Sequence, residues 1–203
     1  MKKLADQLFI PAFRYSRTGN MIMLKTERLI IRNFRAGDWQ SLHELIVQYQ
    51  ASEFAPYDQQ WPTSQEDIRK ITEYFAGGDN FMAVCLKDTG QLIGFVSLNP
   101  EKGDVERQFN TGYVFNSDFR GQDYAIEAFR AVLCHAFDQL QAYRVVTGTA
   151  AVNKGSCRLL EHSGFKKVGE ETAFFKTAED GRPMEFLGYR YAILKKEWQN
   201  SQI

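Results

Sequence analysis

The chain lacks most of what would tie it to a metal, a membrane or a nucleic acid. Among its 203 residues are only three cysteines, Cys85, Cys134 and Cys157. No two have the spacing of a metal or redox motif, and His43, His135 and His162 form no cluster, so no metal is expected. Three isolated thiols read as small buried hydrophobes in a reducing, cytoplasmic setting rather than as a disulfide framework. The formal net charge is zero, which argues against nucleic acid as a partner through a broad basic surface. No apolar run approaches the roughly 20 residues of a membrane-spanning helix, so no membrane partner is expected. What is present is a globular composition, 44% hydrophobic and 25% charged. Aromatics reach 14%, with 16 Phe, enough for a thick core or an aromatic-lined pocket. The length suits one compact domain.

The opening "MKKLADQLFIPAFRYSRTGN" imitates a secretory leader through Lys2 and Lys3. Asp6, Gln7 and Pro11 break the apolar stretch that should follow, and no small-residue cleavage site appears. Residues 1–20 therefore read as an N-terminal extension and 21–203 as the domain. "ERLIIRNF" (27–34) predicts a strand. Asp38 then caps a helix in which Trp39, Leu42, Leu45, Ile46 and Tyr49 recur at helical spacing. Thr63 or Ser64 caps a second helix ending at Gly77 and Gly78. "NFMAVCLKD" and "QLIGFVSLN" form a hairpin about "DTG", followed by the strand "RQFNTGYVFN" (107–116). A long amphipathic helix, 122–141, follows, with Ala125, Ala128, Phe129, Val132, Leu133, Ala136, Phe137 and Leu140 on one face. "YRVVTGTAA" is a buried strand. "NKGSCRLLEHSGF" is a short helix with Asn153 as N-cap and Gly164 as its stop. Two strands joined at "EDGR" close the chain. The order β-α-α-β-β-β-α-β-α-β-β describes a mixed sheet with helices on both faces.

The stretch "FRGQDYAIEA" (119–128) holds the first chemical signal. A helix N-terminus offers unpaired N–H groups and partial positive charge, a natural seat for phosphate. Gly121 permits close backbone approach, and Arg120 brings a guanidinium fork. The Lys-Ser or Lys-Thr pair of a nucleotide P-loop is absent, as is the three-glycine dinucleotide fingerprint. Taken alone, the segment is equally an ordinary turn into a core helix.

About 30 residues on, after one strand, comes Asn153-Lys154-Gly155-Ser156, then Leu160-Glu161-His162-Ser163-Gly164-Phe165. With Arg120-Gly121-Gln122-Asp123-Tyr124-Ala125-Ile126-Glu127-Ala128 and the opening "LKTERLIIRNFRAGDW", this resembles the GNAT superfamily of acyl-CoA N-acyltransferases. The nearer resemblance is to its ribosomal-protein-alanine acetyltransferase branch, over about residues 23 to 197. The resemblance implies an α/β (α+β) single domain with a mixed, mostly antiparallel, splayed β-sheet and helices on both faces. It also implies acetyl-CoA as cosubstrate. Its pantetheine arm would lie along Tyr113, Val114 and Phe115. Its pyrophosphate would sit on the N–H groups of Arg120, Gly121, Gln122, Asp123, Tyr124 and Ala125. Asn153 would contact the arm and Ser156 would face the thiol.

Asp123 stands where the family pattern has glycine. Its N–H would survive the change if the backbone there were helical, while an inward carboxylate would repel pyrophosphate. The tyrosine that many such proteins place two residues before the equivalent of His162 is Leu160 here, which leaves Ser156 as the proton donor to sulfur. A backbone N–H near Val114 is the expected oxyanion donor. A covalent route through Cys157 lacks a paired histidine. For the base, Asn110 and Thr111 occupy the usual region, and Glu106, Glu53 and Glu185 stay open. Phe54, Tyr57, Trp61, Tyr189 and Tyr191 would wall the acceptor pocket or else pack the core. The expected reaction is direct acetyl transfer to a primary amine, on a protein N-terminus or a small molecule. The alternative is a non-catalytic acyl-CoA-binding or interaction protein. The oligomeric state, a homodimer included, stays open.

Overall fold

The computed structural model describes residues 21–101, 107–178 and 180–200. Eight strands form one sheet in the order β1-β2-β3-β4-β5-β6-β8-β7. The first expected strand is a hairpin of two, β1 (Met23–Lys25) and β2 (Leu29–Asn33), paired antiparallel. The reversal falls at Thr26, whose N–H donates to Leu29 O. Next come α1 (Trp39–Gln50) and α2 (Gln65–Ala76), then β3 (Phe81–Leu86), β4 (Leu92–Pro100) and β5 (Gln108–Phe115). After these follow α3 (Tyr124–Cys134), β6 (Arg144–Ala150), α4 (Lys154–His162), β7 (Lys166–Ala173), β8 (Phe186–Leu194) and α5 (Lys195–Asn200). The closing helix α5 is not signalled by the sequence pattern. Every strand pair is antiparallel except β5 with β6.

Two apolar clusters sandwich the sheet. Period-2 alternation along β3 sends Met82 and Val84 to one face and Ala83 and Cys85 to the other. On the first face α3 packs Ala128, Phe129, Val132 and Leu133, joined by Leu160 of α4 and Trp198 of α5. On the second, α1 contributes Leu42, Leu45 and Ile46, and α2 contributes Ile68, Ile71 and Phe75. Each fully buried Val, Leu, Ile or Phe among them supplies about 1.5–3 kcal/mol of transfer free energy. Helices on both faces are thus confirmed.

Local chemistry sets the helix ends. Ser64, not Thr63, caps α2 by accepting from Asp67 N–H at 3.2 Å. Asp38 precedes α1 but spends its carboxylate on Arg35 N–H and, bidentately, on the Arg32 guanidinium at 2.7 and 2.9 Å. Asn153 caps α4 through Ser156 N–H at 3.0 Å, and Gly164, at φ +89°, ends it. The helix expected over 122–141 is α-helical only to Cys134. A π turn over His135–Gln139 follows and lets Ala136 and Phe137 both reach the core. Among the described residues no helix is long and apolar enough to cross a membrane, and no group of His, Cys, Asp and Glu is arranged to hold a metal ion. The extension 1–20 and Glu106 lie outside the described residues.

Candidate active site

The sheet forks between β5 and β6. Their parallel pairing covers only Gln108, Asn110 and the residue between them, against Arg144 to Val146. Beyond it β4 holds β5 as far as Phe115, and β8 holds β6 as far as Ala150. The edges of the two inner strands therefore face each other across a gap with no partner.

Register decides which backbone groups enter the gap. The β4–β5 ladder runs without a shift from Gly94↔Phe115 to Pro100↔Phe109. Its phase is fixed by Glu101 N–H donating to Gln108 O at 2.8 Å and Asn116 N–H to Ile93 O at 2.9 Å. By antiparallel alternation, Gly112 and Val114 turn their backbone groups to β4, and Thr111, Tyr113 and Phe115 turn theirs to the gap. Thr147 Oγ1 donates to Thr111 O at 2.7 Å and seals the crotch of the fork. Among the described residues, the backbone N–H and C=O groups of Tyr113 and Phe115 have no partner. The Val114 N–H is committed to the ladder, so it is not available as the oxyanion donor expected near it.

A cleft of about 2100 Å³ follows the fork. That is above the usual 300–1,000 Å³ of a single small-molecule site and leaves room for two substrates. Tyr113, Val114, Phe115, Arg120, Gly121, Asp123, Tyr124, Ala125, Asn153 and Ser156 all line it, and Gln122 does not. At one end lies the turn before α3. Arg120 N–H is already donated to Ser117 O at 3.2 Å, so it is not a free donor. The N–H groups of residues 121 to 126 find no acceptor among the described residues, and they stand at the helix N-terminus. Arg28, Arg120 and Arg130 line the same end.

Asp123 is not right-handed helical. It sits at φ 59°, ψ 11°, left-handed, and its carboxylate caps nothing. This is a glycine conformation that Asp and Asn tolerate best among the other residues. The helix start is tied down one turn later. Glu127 accepts from Thr26 Oγ1 at 2.5 Å, Arg28 N–H at 2.9 Å and Arg28 Nε at 2.7 Å, while the Arg28 guanidinium lies 4.4 Å over the Tyr124 ring. Burial pushes the Glu127 carboxyl up, but these donors more than reverse it, holding it below the usual range.

At the fork, Tyr113 OH and Ser156 Oγ are 2.6 Å apart. Asn153, capping α4, fixes the turn that carries Ser156. Tyr113 is wedged edge-on against Phe129, with ring centroids 5.1 Å apart. Burial pushes its phenol well above the usual range, against the pull of the Ser156 hydrogen bond, so it stays protonated. The sequence reading looked for a tyrosine on α4 and found buried Leu160. The phenol comes from β5 instead. Its signal was available: Phe109, Thr111, Tyr113 and Phe115 share one strand face, the face toward α3 and α4.

Of the residues expected to wall an acceptor pocket, Phe54, Tyr57, Trp61 and Tyr189 line the cleft, as does Glu53. Tyr191 does not: two residues along the same face of β8 from Tyr189, it is buried in the core, its hydroxyl donating to Glu161 at 3.0 Å. Glu185 and Cys157 are not in the lining either. Sequence reasoning missed Tyr49 and Asp58. Tyr49 OH donates to Asp58 Oδ2 at 2.6 Å, and both line the cleft.

A single mixed sheet split between two parallel strands, with a helix N-terminus at one end of the split, is a GNAT-like α/β architecture. The chain belongs to the acetyltransferase (GNAT) domain family, whose model matches residues 28–166. It is 29% identical over 177 residues to an uncharacterized N-acetyltransferase of Bacillus subtilis, YnaD, covering 86% of this chain and 98% of that one. It is 28% identical over 187 residues to the B. subtilis protein named "Putative ribosomal N-acetyltransferase YdaF", covering 87% and 96%. An acetyltransferase crystal structure from Bacillus anthracis superimposes with a TM-score of 0.71 at 27% identity, over 86% of this chain and 99% of that one. The resemblance to the ribosomal-protein acetyltransferases is thereby supported by a relative.

Proposed function

We propose that the chain is an acetyl-CoA-dependent N-acetyltransferase that passes the acetyl group directly to a primary amine, on a protein N-terminus or a small molecule, in a ternary complex. The observation that carries this reading is the open fork with the Tyr113–Ser156 pair at 2.6 Å beside it. Acetyl-CoA supplies the activated thioester. The residues fit it: the free N–H groups from Gly121 onward suit a pyrophosphate, and the gap-facing edge of Tyr113 and Phe115 suits the amides of a pantetheine arm. The gap-facing N–H groups stabilise the oxygen on which negative charge develops. Ser156 donates its proton to the departing sulfur, and Tyr113 donates to Ser156 Oγ behind it. The ribosomal substrate in the name of one relative makes a protein N-terminus one acceptor class to include in a screen.

Turnover is followed as release of free CoA thiol together with the acetyl mass on the amine. Ser156→Ala and Tyr113→Phe should each lower kcat about 10²–10⁴-fold, the usual share of a proton donor, with the acetyl-CoA dissociation constant little changed. The double variant should be scarcely worse than either single one, because the two hydroxyls act as one unit. Wild-type rates in both variants would remove the pair from the chemistry. Tight acetyl-CoA binding without turnover on any amine would favour the non-catalytic acyl-CoA-binding reading, to which the charge of Asp123 lends some weight.

A further inference from the structure

The acceptor end of the cleft holds a carboxylate with no cation. Asp58 follows the short 3-10 turn Ala55–Tyr57, where it is partly buried. Gln59 N–H donates to Oδ1 at 2.7 Å and Tyr49 OH donates to Oδ2 at 2.6 Å. Each oxygen therefore keeps a free acceptor direction. No Lys, Arg or His among the described residues pairs with Asp58. Burial pushes its carboxyl up, and the Tyr49 and Gln59 donors only partly offset that. A half-buried carboxylate left in this state is stabilised by a cation that arrives with good geometry.

The walls near Asp58 are apolar. Tyr57 packs edge-on to Phe186 at 5.4 Å, and Phe186 stacks on Phe175 at 5.9 Å, joining the segment after α1 to the β7–β8 hairpin. The other carboxylates of the lining near this end, Glu53 and Glu171, are exposed.

We infer that Asp58, braced by Tyr49, is the recognition site for the acceptor's primary ammonium, and that the acceptor carries this ammonium on an aromatic or bulky apolar body. The inference rests on the amine-acetyltransferase reading and names its substrate class. One deep carboxylate takes one charge, and the aromatic walls take the rest of the molecule.

The probe is 2-phenylethylamine, titrated calorimetrically into the full chain in the presence of CoA. It should bind at least tenfold more tightly than 2-phenylethanol, its neutral counterpart, and more tightly than spermidine. Asp58→Asn should weaken it about ten- to a hundredfold, the range that a charge-assisted hydrogen bond spans, while acetyl-CoA binding stays at the wild-type value and certifies the fold. Equal binding of amine and alcohol by the wild type, or an unchanged amine affinity in a folded Asp58→Asn protein, overturns the role of Asp58. Preference for spermidine overturns the apolar body. Thiol release is read separately on the same samples. Charge-selective binding without thiol release would keep Asp58 as an ammonium site and fail the transfer reading, so the two failures are distinguishable.

Discussion

Asp123 shows how much one torsion angle decides at the residue scale. In a right-handed helical backbone the change from glycine would leave the loop's N–H in place and move only a side chain. At φ 59° the residue pays the left-handed penalty of roughly 1 kcal/mol as well. Its carboxylate stands exposed in the cleft lining beside the α3 N-terminus, capping nothing and paired with no cation among the described residues. Two variants separate backbone from charge. Asp123→Asn keeps the left-handed tolerance and removes the charge, and Asp123→Gly removes both. If the charge opposes the cosubstrate, both should tighten acetyl-CoA binding severalfold in calorimetric titration, and the gain should shrink in high salt. Tightening by Asp123→Gly alone would assign the effect to the backbone. No change in either would show that the carboxylate points away from the phosphates.

The elements themselves were largely legible, because they follow periodicity and caps. The hairpin about "DTG", the Asn153 cap and the Gly164 stop are local events written in a few adjacent residues. What could not be read is non-local. The end of α3 as a π turn depends on which side chains the core accepts. The Tyr113–Ser156 pair joins positions 43 residues apart, and the Tyr49–Asp58 pair takes shape only when a turn folds back on α1. Tyr191 was misplaced because, on the same face of β8 as Tyr189, it lies opposite Thr147 at the closed crotch of the fork rather than along the open gap. The fork is itself a property of two elements, and β4 is the one that holds β5 in place at its lip. Gly94 is the tightest point there: a Cβ would stand 2.5 Å from Phe115 Cδ1 and 2.7 Å from Val114 O. The ring can turn away, but the carbonyl cannot move without parting the ladder. Gly94→Ala should therefore cost about 1–3 kcal/mol as overpacking. That lowers Tm by roughly 2–4 °C per kcal/mol in a chain of this size. It should also weaken acetyl-CoA binding, since Phe115 carries part of the gap-facing edge. An unchanged Tm would mean that β4 and β5 separate freely at this point.

At the scale of the whole molecule, the end of the cleft at the α3 N-terminus is held by a contact between distant parts of the chain. Glu127 opens α3, whereas Thr26 and Arg28, about a hundred residues earlier, belong to the reversal between β1 and β2. Three donors on one carboxylate lock the edge of the sheet to the helix whose N-terminus is the proposed seat of the phosphates. Because these donors favour the charged form, Glu127 titrates lower in the folded chain than in the unfolded one. The unfolded chain therefore binds a proton more readily, and stability due to this contact is present above the unfolded carboxyl pKa of about 4.3. It is lost as pH falls through the lower folded value. The difference in Tm between wild type and Glu127→Gln should thus be full at pH 7, begin to close below about pH 4.5, and vanish in stronger acid. A difference that stays constant across that range would show that the amide loses packing rather than charge. If the contact also sets the aim of the α3 N-terminus, the variant should bind acetyl-CoA more weakly at pH 7 even where it is fully folded. An unaltered dissociation constant there would confine Glu127 to holding the sheet edge and leave the phosphate seat to the turn at Gly121.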